Sequence, residues 1–242
     1  MAELKKPRRL NGSGSRLKMP GKKIIQKRTL KKKAVKKTSK KAVYLDLKRS
    51  KENPIIEPAL HKHWESRATF NPTAFFHDGK VHIIYRAIGD SDHSVLGHAT
   101  SKNGFTISER SATPVYNHFL AKHENKFLPS ISYLSGGGTA GGCEDPRLTL
   151  IDDKVYMIYT AFDGWGSVRM ALTSISLDDF VSNRWHWKKP VLISPPGEIH
   201  KNWVLFPEKI GDRYAILHSF APKILVEYFD SLDELDGKKF IK

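Results

Sequence analysis

The chain has 242 residues, with 41 Lys and Arg against 25 Asp and Glu for a formal net charge of +16, and a single cysteine. One thiol excludes an internal disulfide framework, and no apolar run is long enough to cross a membrane as a helix, so the expected compartment is the cytoplasm. The charge is also uneven: residues 1–50 hold 19 Lys and Arg against 2 acids, and the remainder is close to neutral with 22 against 23.

Residues 1–42 therefore read as a basic arm, expected to be disordered. Its run KKIIQKRTLKKKAVKKTSKK contains no aromatic residue, so it supports weak, non-specific contact with nucleic acid or another anionic surface rather than specific recognition. Residues 43–242 carry enough Val, Ile, Leu, Phe, Tyr and Trp to bury the core of one domain. Near their start, His61 and His63 form an HxH pair, but no further ligands stand at a spacing that would make a metal site.

The body is built on an internal repeat. NPTAFFHDGKVHIIYRA (71–87) aligns without a gap to DPRLTLIDDKVYMIYTA (145–161), and FPEKIGDRYAILHS (206–219) matches when its turn is shortened by about three residues. Each copy opens a strand after Pro, turns on Asp and Gly, and continues as an alternating apolar strand. Further strand-like runs follow each copy: SVLGHATSKNGFT, VRMALTSISLDDF and KILVEYFDSLDEL. Four short strands per unit suit an all-β fold of β-propeller blades, in which equivalent residues converge on a central channel. On this alignment Asn71, Asp145 and Phe206 are related, as are Arg86, Thr160 and His218.

Running into the second copy is GGGTAGGCEDPR (136–147). A glycine-rich loop can cradle phosphate, but here no Lys-Ser/Thr follows and no helix opens, so the glycines read as a flexible connector. Cys143 stands beside two carboxylates, which disfavour a thiolate, and it reads as packing. Glu144 and Asp145 are neighbours, so in an extended strand they point to opposite faces and form no dyad. The repeat favours Asp145 as the channel-facing acid, although capping a turn or pairing with Arg147 explains it equally well. Trp165, in FDGWGSVR, offers a ring that could stack on a sugar or plug a junction between blades.

The motifs FNPTAFFHDGKVHIIYRA, GCEDPRLTLIDDKVYMIYTAFD and VLFPEKIGDRYAILH, in this order and spacing, resemble glycoside hydrolase family 130, the β-mannoside phosphorylases and related β-mannosidases. The resemblance implies a five-bladed propeller that uses no cofactor and takes a β-mannoside oligosaccharide and inorganic phosphate as co-substrates. It implies inverting phosphorolysis of a terminal β-mannoside to α-mannose 1-phosphate, with Asp145 as the proton donor. It also implies that Arg86, Arg169, Lys201 and His218 bind phosphate, and that Asn71, Glu144, Arg147 and Trp165 contact substrate, with Arg147 a candidate to hold the acid. Many phosphorylases of the family carry Arg after the His of the third motif, where this chain has Ser219; a hydrolase using water, with Glu208 as base, is the alternative. A non-catalytic propeller tethered by the basic arm is a third reading. The body supplies about three repeat units where five blades need on the order of 300 residues, so the chain is expected to be a fragment.

Overall fold

A computed structural model describes residues 46, 48–117, 141–162, 167–219 and 222–241. The expected basic arm, Trp165 and glycines 136–138 lie outside the described residues. Strands dominate: β1 (Ala68–His77), β2 (Lys80–Ile88), β3 (Ser94–Ser101) and β4 (Ile107–Arg110) are followed by β5 (Gly142–Ile151), β6 (Lys154–Phe162), β7 (Val168–Ser176) and β8 (Val191–Leu192). A last group comprises β9 (Val204–Leu205), β10 (Tyr214–Ser219) and β11 (Leu225–Phe229). Within each group neighbouring strands are antiparallel. The first two groups join through one parallel pair, Ser94 with Gly142, into an 8-stranded sheet; the third forms a separate 3-stranded sheet. No closed ring of sheets forms among the described residues.

The repeat sets the hairpins. Asp78 and Gly79 (φ 46° and 73°) join β1 to β2, and Gly211 and Asp212 (φ 58° and 61°) precede β10. These left-handed pairs match the twist of the flanking strands, which explains the Asp and Gly at these turns. The run LDDF was expected to be part of a strand and turn; it instead opens the single α-helix among the described residues, α1 (Leu177–Val181). Ser176 caps it by accepting from the Asp179 amide, Asp178 and Asp179 occupy its first turn, and Phe180 is buried.

Strand alternation then assembles the layers. From β6, Met157, Tyr159 and Ala161 enter a core shared with Ile84, Leu96 and Phe180. The intervening Ile158 enters a second core with Ile193, Trp203, Leu205 and Ile216. The middle group is thus covered on both faces, by the first group and the third, which is why β6 and β7 read as almost continuous apolar runs.

Candidate functional site

Asn71 and Asp145, paired by the sequence repeat, have the same backbone. Both are left-handed (φ 47° and 49°) although neither is glycine, and both sit where the pairing register slips, between Phe70 and Thr73 in one group and between Glu144 and Arg147 in the other. Each extra residue is a β-bulge just before a proline. Asn and Asp are the non-glycine types that tolerate this region best, and such strain persists only where surrounding structure holds it.

The bulge corrects the expectation that Glu144 and Asp145 must point apart. The left-handed turn at Asp145 breaks strand alternation, and one guanidinium reaches both acids. Arg86 Nη2 donates to Glu144 Oε1 at 2.8 Å, and Nη1 donates to Asp145 Oδ1 at 3.2 Å. Its Nε donates to Ser94 Oγ at 2.8 Å, and its guanidinium lies over the Phe70 ring at 4.7 Å. Asn71 Nδ2 donates to Asp145 Oδ1 at 2.7 Å, and Lys201 Nζ donates to Glu144 Oε2 at 3.1 Å. Arg86, Glu144 and Asp145 are 1%, 0% and 9% exposed, so most of this charge is out of water. Burial pushes the Glu144 carboxyl up, while Arg86 and Lys201 pull it back down.

One close approach makes the cluster possible. At the parallel junction, Gly142 has φ 113°, and a Cβ there would lie 2.1 Å from the Ser94 carbonyl oxygen. Only glycine lets β5 start this close to β3. Gly141 and Gly142 are therefore fitted contacts, not a flexible connector; the Gly141 carbonyl accepts from the Ser94 amide at 2.8 Å. Cys143 is fully buried in the core, as its reading as packing requires.

Other expected site residues have partners outside this hydrogen-bonded group. Arg147 does not hold the acid: its Nη2 donates to Asn202 Oδ1 at 3.4 Å, its buried Nε has no partner, and Arg86 is the cation on Asp145. Arg169 donates to the Ser194 carbonyl through Nε and Nη2 and stacks on Phe240. His218 lies edge-on to Trp203, with His200 on the same ring, and burial lowers its basicity. Glu208 is exposed on the bend after β9. Phe206 is not the counterpart of Asn71 and Asp145. Its amide donates to Ala215, which places it in register with Ala74 and Leu148, and the left-handed residue of the third copy is Asn202 (φ 63°). The third proline lies beyond the short β9, so no Pro-anchored bulge forms there.

Sequence reading missed Ser94, Gly142 as a contact, and Asn202. Only Asn202 left a signal, as an Asn next to the cation Lys201 at a turn. A cleft of about 410 Å³ also opens beside Phe70 and Pro72, but its walls, including Ile56, Ile83 and Tyr85, contain no acid, so the buried carboxylates define the candidate site.

The sequence and fold have known relatives. The family model for β-1,4-mannooligosaccharide phosphorylase matches residues 46–233. A 1,2-β-oligomannan phosphorylase of Thermoanaerobacter sp. (strain X514) is 31% identical over 208 residues, covering 82% of this chain and 62% of that protein. A β-1,2-mannobiose phosphorylase of the same strain is 29% identical over 198 residues, covering 74% and 56%. This chain thus spans less than two thirds of either relative. A solved structure, described as from the family of mannoside phosphorylases that contains glycoside hydrolases targeting β-1,2 mannosidic linkages in Candida mannan, superposes with TM-score 0.59. It is 23% identical, over 78% of this chain and 58% of its own, and supports the fold alone. The chain belongs to glycoside hydrolase family 130.

Proposed function

We propose that this chain carries the acid-bearing site of a β-mannoside phosphorylase, acting on manno-oligosaccharides with inorganic phosphate as co-substrate and giving α-mannose 1-phosphate with inversion. The observation that supports it is the buried group of Asp145, Glu144, Arg86 and Lys201 at a strained bulge, in a chain of this family. Asp145 supplies the proton to the leaving oxygen, while phosphate forms the new bond to the anomeric carbon from the opposite face. The phosphate's own proton then restores Asp145, so no separate protein base is required.

Charge bookkeeping supports the same reading. With Asp145 ionised, Arg86, Lys201, Glu144 and Asp145 sum to zero; with Asp145 protonated they sum to +1. A phosphate dianion nearby favours the second state, which is the one that can donate. In this reading Lys201, Arg169 and His218 bind phosphate, and Arg86, with three donor atoms held by the protein, works behind the carboxylates. Glu144 and Arg147 serve the sugar side. The three strand groups are blades of a five-bladed propeller in the whole protein, and the basic arm is a weak tether to anionic surfaces in the cytoplasm.

Hydrolysis is the second reading. Ser219 stands where many phosphorylases of the family have Arg. The two phosphorylase relatives carry β-1,2 names, whereas the family model is described by the β-1,4 linkage. The protein should therefore be incubated with β-1,2- and β-1,4-mannobiose, with and without phosphate, and followed by 31P NMR. A sugar phosphate formed only with phosphate supports phosphorolysis. Free mannose formed equally without phosphate overturns it.

A further inference from the structure

The two donors on Asp145 converge on one oxygen. Asn71 Nδ2 and Arg86 Nη1 both donate to Oδ1, at 2.7 and 3.2 Å, while Oδ2 accepts from none of the described residues. In a protonated carboxyl group the carbonyl-type oxygen accepts hydrogen bonds and the hydroxyl oxygen carries the proton. An oxygen already facing two N–H groups cannot hold a proton without facing a donor with a donor. We propose that Asn71 is a positioning residue that, with Arg86, makes Oδ1 the permanent acceptor of Asp145 and reserves Oδ2 for the proton that is transferred. This rests on the reading of Asp145 as the proton donor.

Arg86 alone cannot make this selection as firmly. It also serves Ser94 and Glu144, and its contact with Asp145 is the longest of its three. Asn71 is neutral, so it orients the acid without adding a positive charge that would oppose protonation. Its side chain reaches Oδ1 from the matching bulge of the preceding strand group, and the left-handed backbone at Asn71 is what aims it there.

The test compares the native chain with Asn71→Gly, which removes the donor and keeps access to the left-handed backbone, and Asn71→Ala, which removes the donor and keeps the β-carbon. Each is assayed in phosphate on mannobiose and on β-mannosyl fluoride. Fluoride leaves without a proton, so a residue that acts through the acid should matter only for mannobiose. Both variants should lose about 10- to 100-fold in kcat on mannobiose, within the range that general acid catalysis supplies, and change by less than about threefold on the fluoride. Equal losses on both substrates overturn the proposal.

A second measurement needs no turnover. Carboxyl 13C and side-chain amide 15N–1H resonances of Asp145 and Asn71 are followed by NMR across the range in which Asp145 titrates. The Asn71 amide proton should keep its hydrogen-bonded shift on both sides of the transition, because Oδ1 stays an acceptor. Loss of that shift on protonation overturns the proposal. Absence of turnover on both substrates by the native chain would count against the phosphorylase reading, and the amide resonance would still decide the role of Asn71.

Discussion

Replacing Arg86 with Met gives the sharpest test of the buried cluster. The side chain is 1% exposed and donates to Ser94, Glu144 and Asp145. Methionine fills much of the space but takes the 2.8 Å Arg86 ion pair from Glu144, which stays fully buried beside Lys201. Removing one partner of a buried ion pair costs about 3–5 kcal/mol, because the other charge stays buried without its match. For a body of this size each kcal/mol lowers Tm by about 2–4 °C, so a fall of about 10 °C is expected. Glu144→Gln added to Arg86→Met should recover most of the loss, since it removes the stranded charge. The pH dependence gives a further check. Burial holds the folded-state Glu144 carboxyl above its ordinary value and Arg86 pulls it back, so without Arg86 the carboxyl rises further and the variant's folded state gains more from proton uptake than the native protein's as pH falls. The deficit of Arg86→Met should therefore shrink as pH falls from 7 towards 5. Scanning calorimetry on the native, single-variant and double-variant proteins at two pH values reads this directly. A single variant within about 1 kcal/mol of native, or a double variant no better than the single, would refute the argument.

Asp145→Asn should lower turnover by about 100-fold or more with little change in Tm, because Asn accepts the same Arg86 and Asn71 bonds and tolerates the left-handed backbone; retained turnover would remove the acid assignment. Gly142→Ala must move either β3 or β5, since its Cβ would meet a backbone oxygen, whereas Gly197→Ala has a similar positive φ but nothing within 4 Å. In urea titrations the first should cost about 3 kcal/mol or more and the second about 1 kcal/mol. Burial lowers His98, stacked on His82 and packed edge-on to Phe180 and Trp185, to about 4. Below pH 6.5 the unfolded chain therefore binds a proton that the native state refuses, so stability should fall by about 2 kcal/mol by pH 5. His82 is lowered in the same direction by burial, His77 and Lys80, with Glu109 opposing. Urea midpoints at pH 7 and 5, with His98→Leu as the control that flattens the dependence, check this.

The sequence by itself determined the strand repeat, the hairpin turns and the pairing of Asn71 with Asp145. These depend on local rules: side chains alternate with period two, Asp and Gly accept left-handed turns, and a repeated pattern repeats its backbone. It also singled out Asp145 and, through resemblance, the family. The tertiary structure alone decided which cation holds the acid. Arg86 lies 59 positions from Asp145 and meets it only because Gly142 admits β5 against Ser94. Sequence adjacency favoured Arg147, yet the bulge sends that side chain towards Asn202. The same bulge turned two neighbouring carboxylates, which strand alternation would separate, onto one guanidinium. A bulge is one extra residue accommodated by a partner strand, and whether the partner accommodates it is a property of the pair rather than of either strand's sequence.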